Sequence, residues 1–505
     1  QINLCARLPT PRRRSSPRHT DKRGADAMHV KVLVRVRPLL QHEVAAGHTS
    51  TMLSIEAQRG AVTQELHSGG RNAFAVDHVC QLNSTQDEVF AHGGIRDLVD
   101  AVVQGYNSTV FAYGQTGSGK TFTMEGYDYG RASGRGPTAN FDTAPEKHGL
   151  TPRSVQALFA AVDAHNGALG EGQSRLRVMC HYVQIYKEAV LDLLNPSSTQ
   201  TNAQTNAVIG LKIRWSQERE FYVDNLFTEE VASADEAMGL FQKGVGNKRV
   251  AETRMNAASS RSHCIFTLVV QQMDPARPDK VQAEGKLTLV DLAGSERQQA
   301  LLDSGNRAAM ADSVQINKSL FTLRKVIIAL SEASTKKGKG WQAAKAHIPY
   351  RDGTLTRLLK HALGGNSHTL MVACISPCDA HAEENASTLA YATRARAIAN
   401  TPVVNVDPHA AQVAALKAEI RALKSEMGRL QQLLALSGTD GAPALGAPGG
   451  IAALLPPDGT ATPNGACGGG GAAAGAVAQW RGAANGAREV DGRQGDAGDS
   501  PTSVR

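Results

Sequence analysis

A chain of 505 residues with 41% hydrophobic and 20% charged side chains has room for one large domain with appendages and enough apolar matter for a sizeable core. Its net charge of +7 favours an acidic partner surface, and the absence of any run of about 18 apolar residues argues against a membrane-spanning helix and for a soluble protein. Cysteines 5, 80, 180, 264, 374, 378 and 467 stand scattered without a CxxC, which argues for reduced thiols in a cytosolic setting and against structural zinc.

Residues 1–27 are basic, contain Pro and Ser, and lack the apolar core of a secretory signal. They read as a disordered basic arm or as residues upstream of a start at Met28. "HVKVLVRVRPL" (29–39) alternates and stops at a proline, as a strand entering a loop does. "STVFAY" (108–113) is a second strand, running straight into a Gly-rich loop and then a helix at "KTFTM". Further strands are expected at 175–186, 263–273, 285–293 and 368–377, with helices at 154–165, 233–245, 313–333, 355–363 and about 382–399. This alternation predicts one α/β domain whose central sheet is covered on both faces. The polar stretches 126–148 and 195–210 read as surface loops.

After "NTPVVN" (400–405) the apolar spacing becomes that of an a/d seam: Val413, Leu416, Ile420, Leu423, Met427, Leu430 and Leu434. About three heptads suit a short coiled coil over 413–434 that joins two copies, or an amphipathic helix end. Residues 437–505 are Gly/Ala/Pro-rich and are assigned no structure, because they cannot bury enough surface to offset ordering entropy.

Three segments carry chemistry. Gly114, Gln115, Thr116, Gly117, Ser118, Gly119, Lys120 and Thr121 fit GxxxxGK[ST] at every fixed position. In such a loop the glycines let backbone N–H groups wrap phosphate oxygens, Lys120 reaches the β/γ-phosphates, and the Thr121 hydroxyl ligates Mg²⁺. "LTLVDLAGSE" (287–296) ends an apolar strand at Asp291, followed by Gly294 with an N–H for a γ-phosphate and then by Glu296. "NAASSRSH" (256–263) adds Asn256, the hydroxyls of Ser259 and Ser260 for the γ-phosphate and Mg²⁺, and Arg261, which can pair with Glu296 when two loops close. Alone, the second and third segments are no more than a strand exit and a polar loop.

Together with "RVRPL", "INKSL", "IPYRDGTLTRLL" and "LGGNSHTLMVACISP", all in the family's order, these segments resemble the kinesin motor domain over residues 28–405. "STQDEVF", "SVQIN" and "RARAIANTPVVN" look most like the chromokinesin branch. The resemblance implies an α/β P-loop NTPase of the kinesin motor fold over 28–399, with a central mixed sheet and helices on both faces. It implies a microtubule-stimulated ATPase, using ATP and Mg²⁺, in the microtubule cytoskeleton of the cytoplasm. Arg35, Arg37 and Pro38 would border the adenine and Phe122 would stack on it. Thr121, Ser260 and, through water, Asp291 would hold the metal. Residues 400–408 would be a neck linker that docks in the ATP state, and its place C-terminal to the motor resembles plus-end-directed members. Lys318, Lys336, Lys337, Lys339, Lys345, Arg351 and Arg357 would meet tubulin.

Departures from the family pattern lie away from the loop: few basic residues over 297–313, Gly353-Thr354 where Ser-Lys is usual, and Arg324 where glycine is commoner. They keep open a second reading, a microtubule tether or regulator of microtubule dynamics with slow turnover. Nothing in the chain resembles a helicase or a DNA-reading module, so nucleic acid is not the expected partner.

Overall fold

The computed structural model describes residues 28–50, 52–65, 69–131, 137–141, 144–170, 174–198, 200–201, 208–217, 219–254, 261–275, 277–296, 307–335 and 347–436. Nine strands build the main sheet: β1 Lys31–Val36, β2 His78–Cys80, β3 Asn107–Tyr113, β4 Leu176–Tyr186, β5 Ala189–Asp192, β6 Glu229–Val231, β7 His263–Asp274, β8 Arg277–Asp291 and β9 His368–Ile375. Their order is β5-β4-β7-β8-β3-β9-β1-β2, with β6 also beside β4. From β8 to β2 the neighbours run parallel, while β4 to β8 pair antiparallel. The sheet is therefore mixed, as the resemblance implied.

The central strand β3 is buried at every position, the signature of a parallel strand covered on both faces. Val110 and Ala112 turn to a core shared with Val99, Leu158 and Phe241. Phe111 and Tyr113 turn to the opposite core, with Leu323, Val326, Leu389 and Ala395. The two-residue period of a strand thus sorts adjacent side chains into two separate cores. The first is closed by α1 Gln86–Gly93, α2 Ile95–Val103, α4 Leu150–Gly167 and α5 Ala234–Arg254, with the short α3 Lys120–Met124 following β3. The second is closed by α6 Arg307–Thr335, α7 Thr354–Leu358 and α8 Ala382–Arg396.

Several elements differ from the expectations. The helix expected over 355–363 closes after Leu358, because the chain tightens into turns in which the Ala362 and Leu363 N–H groups donate to Leu359. Both polar inserts carry small hairpins, Asp128–Arg131 with Pro137–Asn140 and Gln200–Thr201 with Val208–Ile209. Helix α1 was readable from its start, where Thr85 and Glu88 form a capping box.

Beyond α8 the chain stays on the domain. Ala399–Asn400 pairs antiparallel with Met28–His29. Asn405 then bridges elements distant in sequence: its backbone N–H and side-chain amide both donate to the Gly105 carbonyl, and the amide also reaches the Glu284 carbonyl at 3.1 Å. Its Oδ1 accepts from Asn366 at 2.7 Å, and Val406 bridges Ala283. The chain divides into two units, 1–425 and 426–505, and the division falls inside α9, Pro408–Leu436. In the first unit Leu416, Ile420 and Leu423 are exposed; in the second, Met427 and Leu430 are.

Candidate active site

The register of β3 and β8 sets Asp291 opposite Ala112, two residues before the Gly-rich loop opens. Gly114 has φ +151°, and a Cβ there would sit on the Cys374 carbonyl of β9, so only glycine lets the loop leave between its flanking strands. Gly117 and Gly119, at φ +77° and +94°, complete the wrap. The Gln115 carbonyl accepts from Ser118 Oγ at 2.8 Å and Lys120 Nζ at 2.9 Å. Lys120 is buried, and that burial pulls its pKa down against the opposing fields of Asp291 and Glu296.

The end of β8 and the residues just after it close on this loop. Thr121 Oγ1 donates to Asp291 Oδ2 at 2.7 Å, while Asp291 Oδ1 is buried with no hydrogen-bond partner among the described residues. The Thr116 N–H and hydroxyl donate to the two carboxylate oxygens of Glu296 at 2.8 and 2.6 Å, and the Ser295 N–H donates to the Gly114 carbonyl. A Cβ at Gly294 would collide with Glu296 and Thr116, so glycine permits the close approach.

Asn256, Ser259 and Ser260 lie outside the described residues. Arg261 is described and half-buried, yet it makes no ion pair with Glu296, whose carboxylate both Thr116 donors already hold. The closed arrangement in which Arg261 would pair with Glu296 is not the one this structure holds.

Two buried groups that the motifs did not single out complete the site. Lys248 of α5 stands 3.4 Å from Glu125 and 3.9 Å from Asp291. Burial opposes its charge, but the fields of Cys264, Glu125 and Asp291 outweigh burial and raise its pKa. His263, at the start of β7, accepts from the Ala293 N–H at Nδ1 (3.0 Å), which makes Nε2 the donor to Ser319 Oγ of α6 (2.7 Å). Burial, aided by Lys120, pushes its pKa down to about 3, so the ring is neutral. A polar residue on a buried strand end was the available signal for His263; Lys248 gave none, because its partners come from β8 and the chain just after α3.

At the proposed adenine border the residues divide. Pro38 and Phe122 are exposed, whereas Arg35 is buried and donates to Gln86 Oε1 (2.7 Å) and Thr123 Oγ1 (2.9 Å). Arg35 therefore braces α1 and α3 and lies 5.3 Å from the Phe122 ring centroid instead of offering its guanidinium to a base. Arg37 donates from Nε to the Gly117 carbonyl at 2.6 Å and pairs with Glu43, which its guanidinium holds at a pKa of about 2.

Of the expected tubulin contacts, Lys318 and Arg351 are exposed, Arg357 is half-buried, and Lys336, Lys337, Lys339 and Lys345 lie outside the described residues. The outward face of α6 also carries exposed Phe321 and Lys325, with the ammonium 4.7 Å from the ring centroid. Arg324, noted in the sequence as a departure where glycine is commoner, reaches the Tyr113 hydroxyl at 3.5 Å and so joins α6 to the strand that carries the loop.

The sequence pattern of the kinesin motor domain matches residues 35–398. The chain is 37% identical over 400 residues to chromosome-associated kinesin KIF4 of Xenopus laevis, covering 79% of this chain and 29% of that protein. It is 38% identical over 404 residues to chromosome-associated kinesin KIF4B of Homo sapiens, covering 80% and 29%. The chain thus spans under a third of the length of these relatives. Among solved structures, one described as that of a fast kinesin superposes with a TM-score of 0.62 at 32% identity, covering 75% of this chain and 94% of that one. A KIF14 dimer in complex with a microtubule gives 0.61 at 32%, covering 75% and 97%.

Proposed function

Because the chain belongs to the kinesin motor domain family, we propose that it is a microtubule-stimulated ATPase that moves along or regulates microtubules. The observation that carries this reading is the double closure of Asp291 and Glu296 on Thr121 and Thr116. A strand end that grips both a phosphate loop and its metal-ligand hydroxyl can sense what the loop holds.

The residues fit Mg²⁺–ATP. Gly114, Gly117 and Gly119 take the positive φ angles by which such a loop wraps phosphate, and Asp291 Oδ1 is a buried acceptor with no partner among the described residues. Lys120 has one described bond for three N–H donors. Bound Mg²⁺–ATP supplies the phosphoanhydride bond and the cation that neutralises charge on its oxygens. Lys120 then contributes a fixed positive charge, Thr121 and Asp291 orient the metal shell, and the Gly294 N–H offers a donor to the terminal phosphate. Arg37 steadies the loop from outside through the Gly117 carbonyl. Glu296 exchanges its Thr116 donors for a proton-transfer role as Ser259, Ser260 and Arg261 close. His263 relays the position of Ala293 to Ser319, and hence to the outward face of α6.

Residues 400–408 act as the neck linker, in the docked arrangement that Asn405 holds, and movement is toward the microtubule plus end. The exposed apolar seam of α9 serves a homodimer. Steady-state ATPase of the full chain with and without microtubules at low salt tests the reading. Strong stimulation is expected; co-sedimentation without stimulation would favour the tether instead.

A further inference from the structure

Away from the nucleotide site, two loops far apart in sequence bring soft and borderline metal donors together. The Asp379 N–H donates to the Thr49 carbonyl at 3.1 Å, fastening the turn after β9 to the turn after the short helix Gln41–Ala45. Across this junction His48 Nδ1 meets Asp379 Oδ1 at 2.7 Å, 331 positions away in the chain. Cys378 adds its thiol: donor atoms of His48, Cys378 and Asp379 all lie within 4.8 Å of one another, and so do those of Glu43, Cys378 and His381. Cys378 is common to both groups, so an ion at its sulfur has an imidazole and a carboxylate on either side.

We propose that Cys378, His48 and Asp379 form a binding site for a divalent ion of the zinc class, with water in the fourth position. A tetrahedral zinc with bonds of about 2.0–2.3 Å holds its donors roughly 3.3–3.6 Å apart, so the observed spread needs closure of about an ångström. The thiol selects zinc-class ions over Mg²⁺. Binding forms a metal–sulfur bond and releases the Cys378 proton to solvent, a proton that burial otherwise helps the thiol keep. Glu43, whose carboxylate also lies within 4.8 Å of the Cys378 sulfur, is paired with Arg37, which itself holds the Gly117 carbonyl. The site is thus one ion pair away from the phosphate loop, yet it does not depend on the motor reading. Spacing along the sequence conceals it, because the ligands come from opposite ends of the domain.

The test is Co²⁺ titration of the chelator-treated full chain in Mg²⁺-containing buffer. A near-ultraviolet sulfur-to-cobalt band is expected at one equivalent, displaced by Zn²⁺ and unaffected by excess Mg²⁺. Cys378→Ser should abolish the band, and His48→Ala, a change at a half-exposed side chain, should weaken Co²⁺ binding at least ~10-fold. His92→Ala is the control for the separate His78, Cys80 and His92 group and should leave the band intact. No band in the parent chain, or one that survives Cys378→Ser or disappears in His92→Ala, would overturn the proposal.

Discussion

The phosphate loop and the segment after α8 are both held by short polar contacts, but of different kinds. At the loop the closing group is a charged carboxylate, Glu296, gripping an N–H and a hydroxyl of Thr116, a residue on the exposed rim. At the linker the closing group is a neutral amide, Asn405, whose contacts are backbone carbonyls and the Asn366 and Asn107 side chains. An arriving anion competes directly with Glu296 for the loop's donors. Nothing of that kind competes for Asn405, so its docking depends on how Gly105, Glu284 and Asn366 are placed. One region senses charge and the other reads geometry.

The comparison can be broken most severely at Glu296. Glu296→Ala should lower ATP turnover by ~10²–10³-fold while a fluorescent nucleotide still binds, since the loop itself is untouched. Turnover near the parent value would remove Glu296 from its assigned role. Next in size is Asn405→Ala, which deletes four side-chain contacts and should cost roughly 2–3 kcal/mol of docking. A spin label at exposed Val403 should then report a mainly undocked linker, with nucleotide affinity unchanged.

Acid sharpens the contrast from the loop side. His263 titrates near 3 when folded, below the unfolded value near 6.5, so the unfolded chain binds the proton first and stability falls as pH drops below about 6.5. Between pH 7 and pH 5 this group alone should remove about 2 kcal/mol, read from denaturant midpoints. His181, held near 4 by burial, acts in the same direction. His263→Gln should flatten that pH slope, an effect that a purely structural defect would not produce. The smallest change is expected at the track: neutralising Lys336, Lys337 and Lys339 should raise the microtubule concentration for half-maximal ATPase a few-fold and leave basal turnover alone. An unchanged microtubule dependence would return those lysines to an ordinary solvated loop.

The phosphate loop, Asp291, Gly294 and the alternation of strands with helices were legible in the sequence because each depends on a local requirement. A loop needs glycine where φ is positive, a buried strand needs an unbroken apolar run, and a metal-ligand hydroxyl must follow its lysine. Other assignments required distant elements to meet. Arg35 belongs to a motif expected to border the adenine, but its bonds to Gln86 and Thr123 appear only once the fold brings α1 and α3 beside β1. Arg324 is no more than a departure from glycine until Tyr113 is placed beside it. His263, Lys248, Asn405 and the donors around Cys378 take their roles from partners far along the chain. Periodicity and spacing record what a residue demands of its neighbours in sequence; which distant group satisfies a buried charge or amide is decided only when the sheet brings the strands and their connections together.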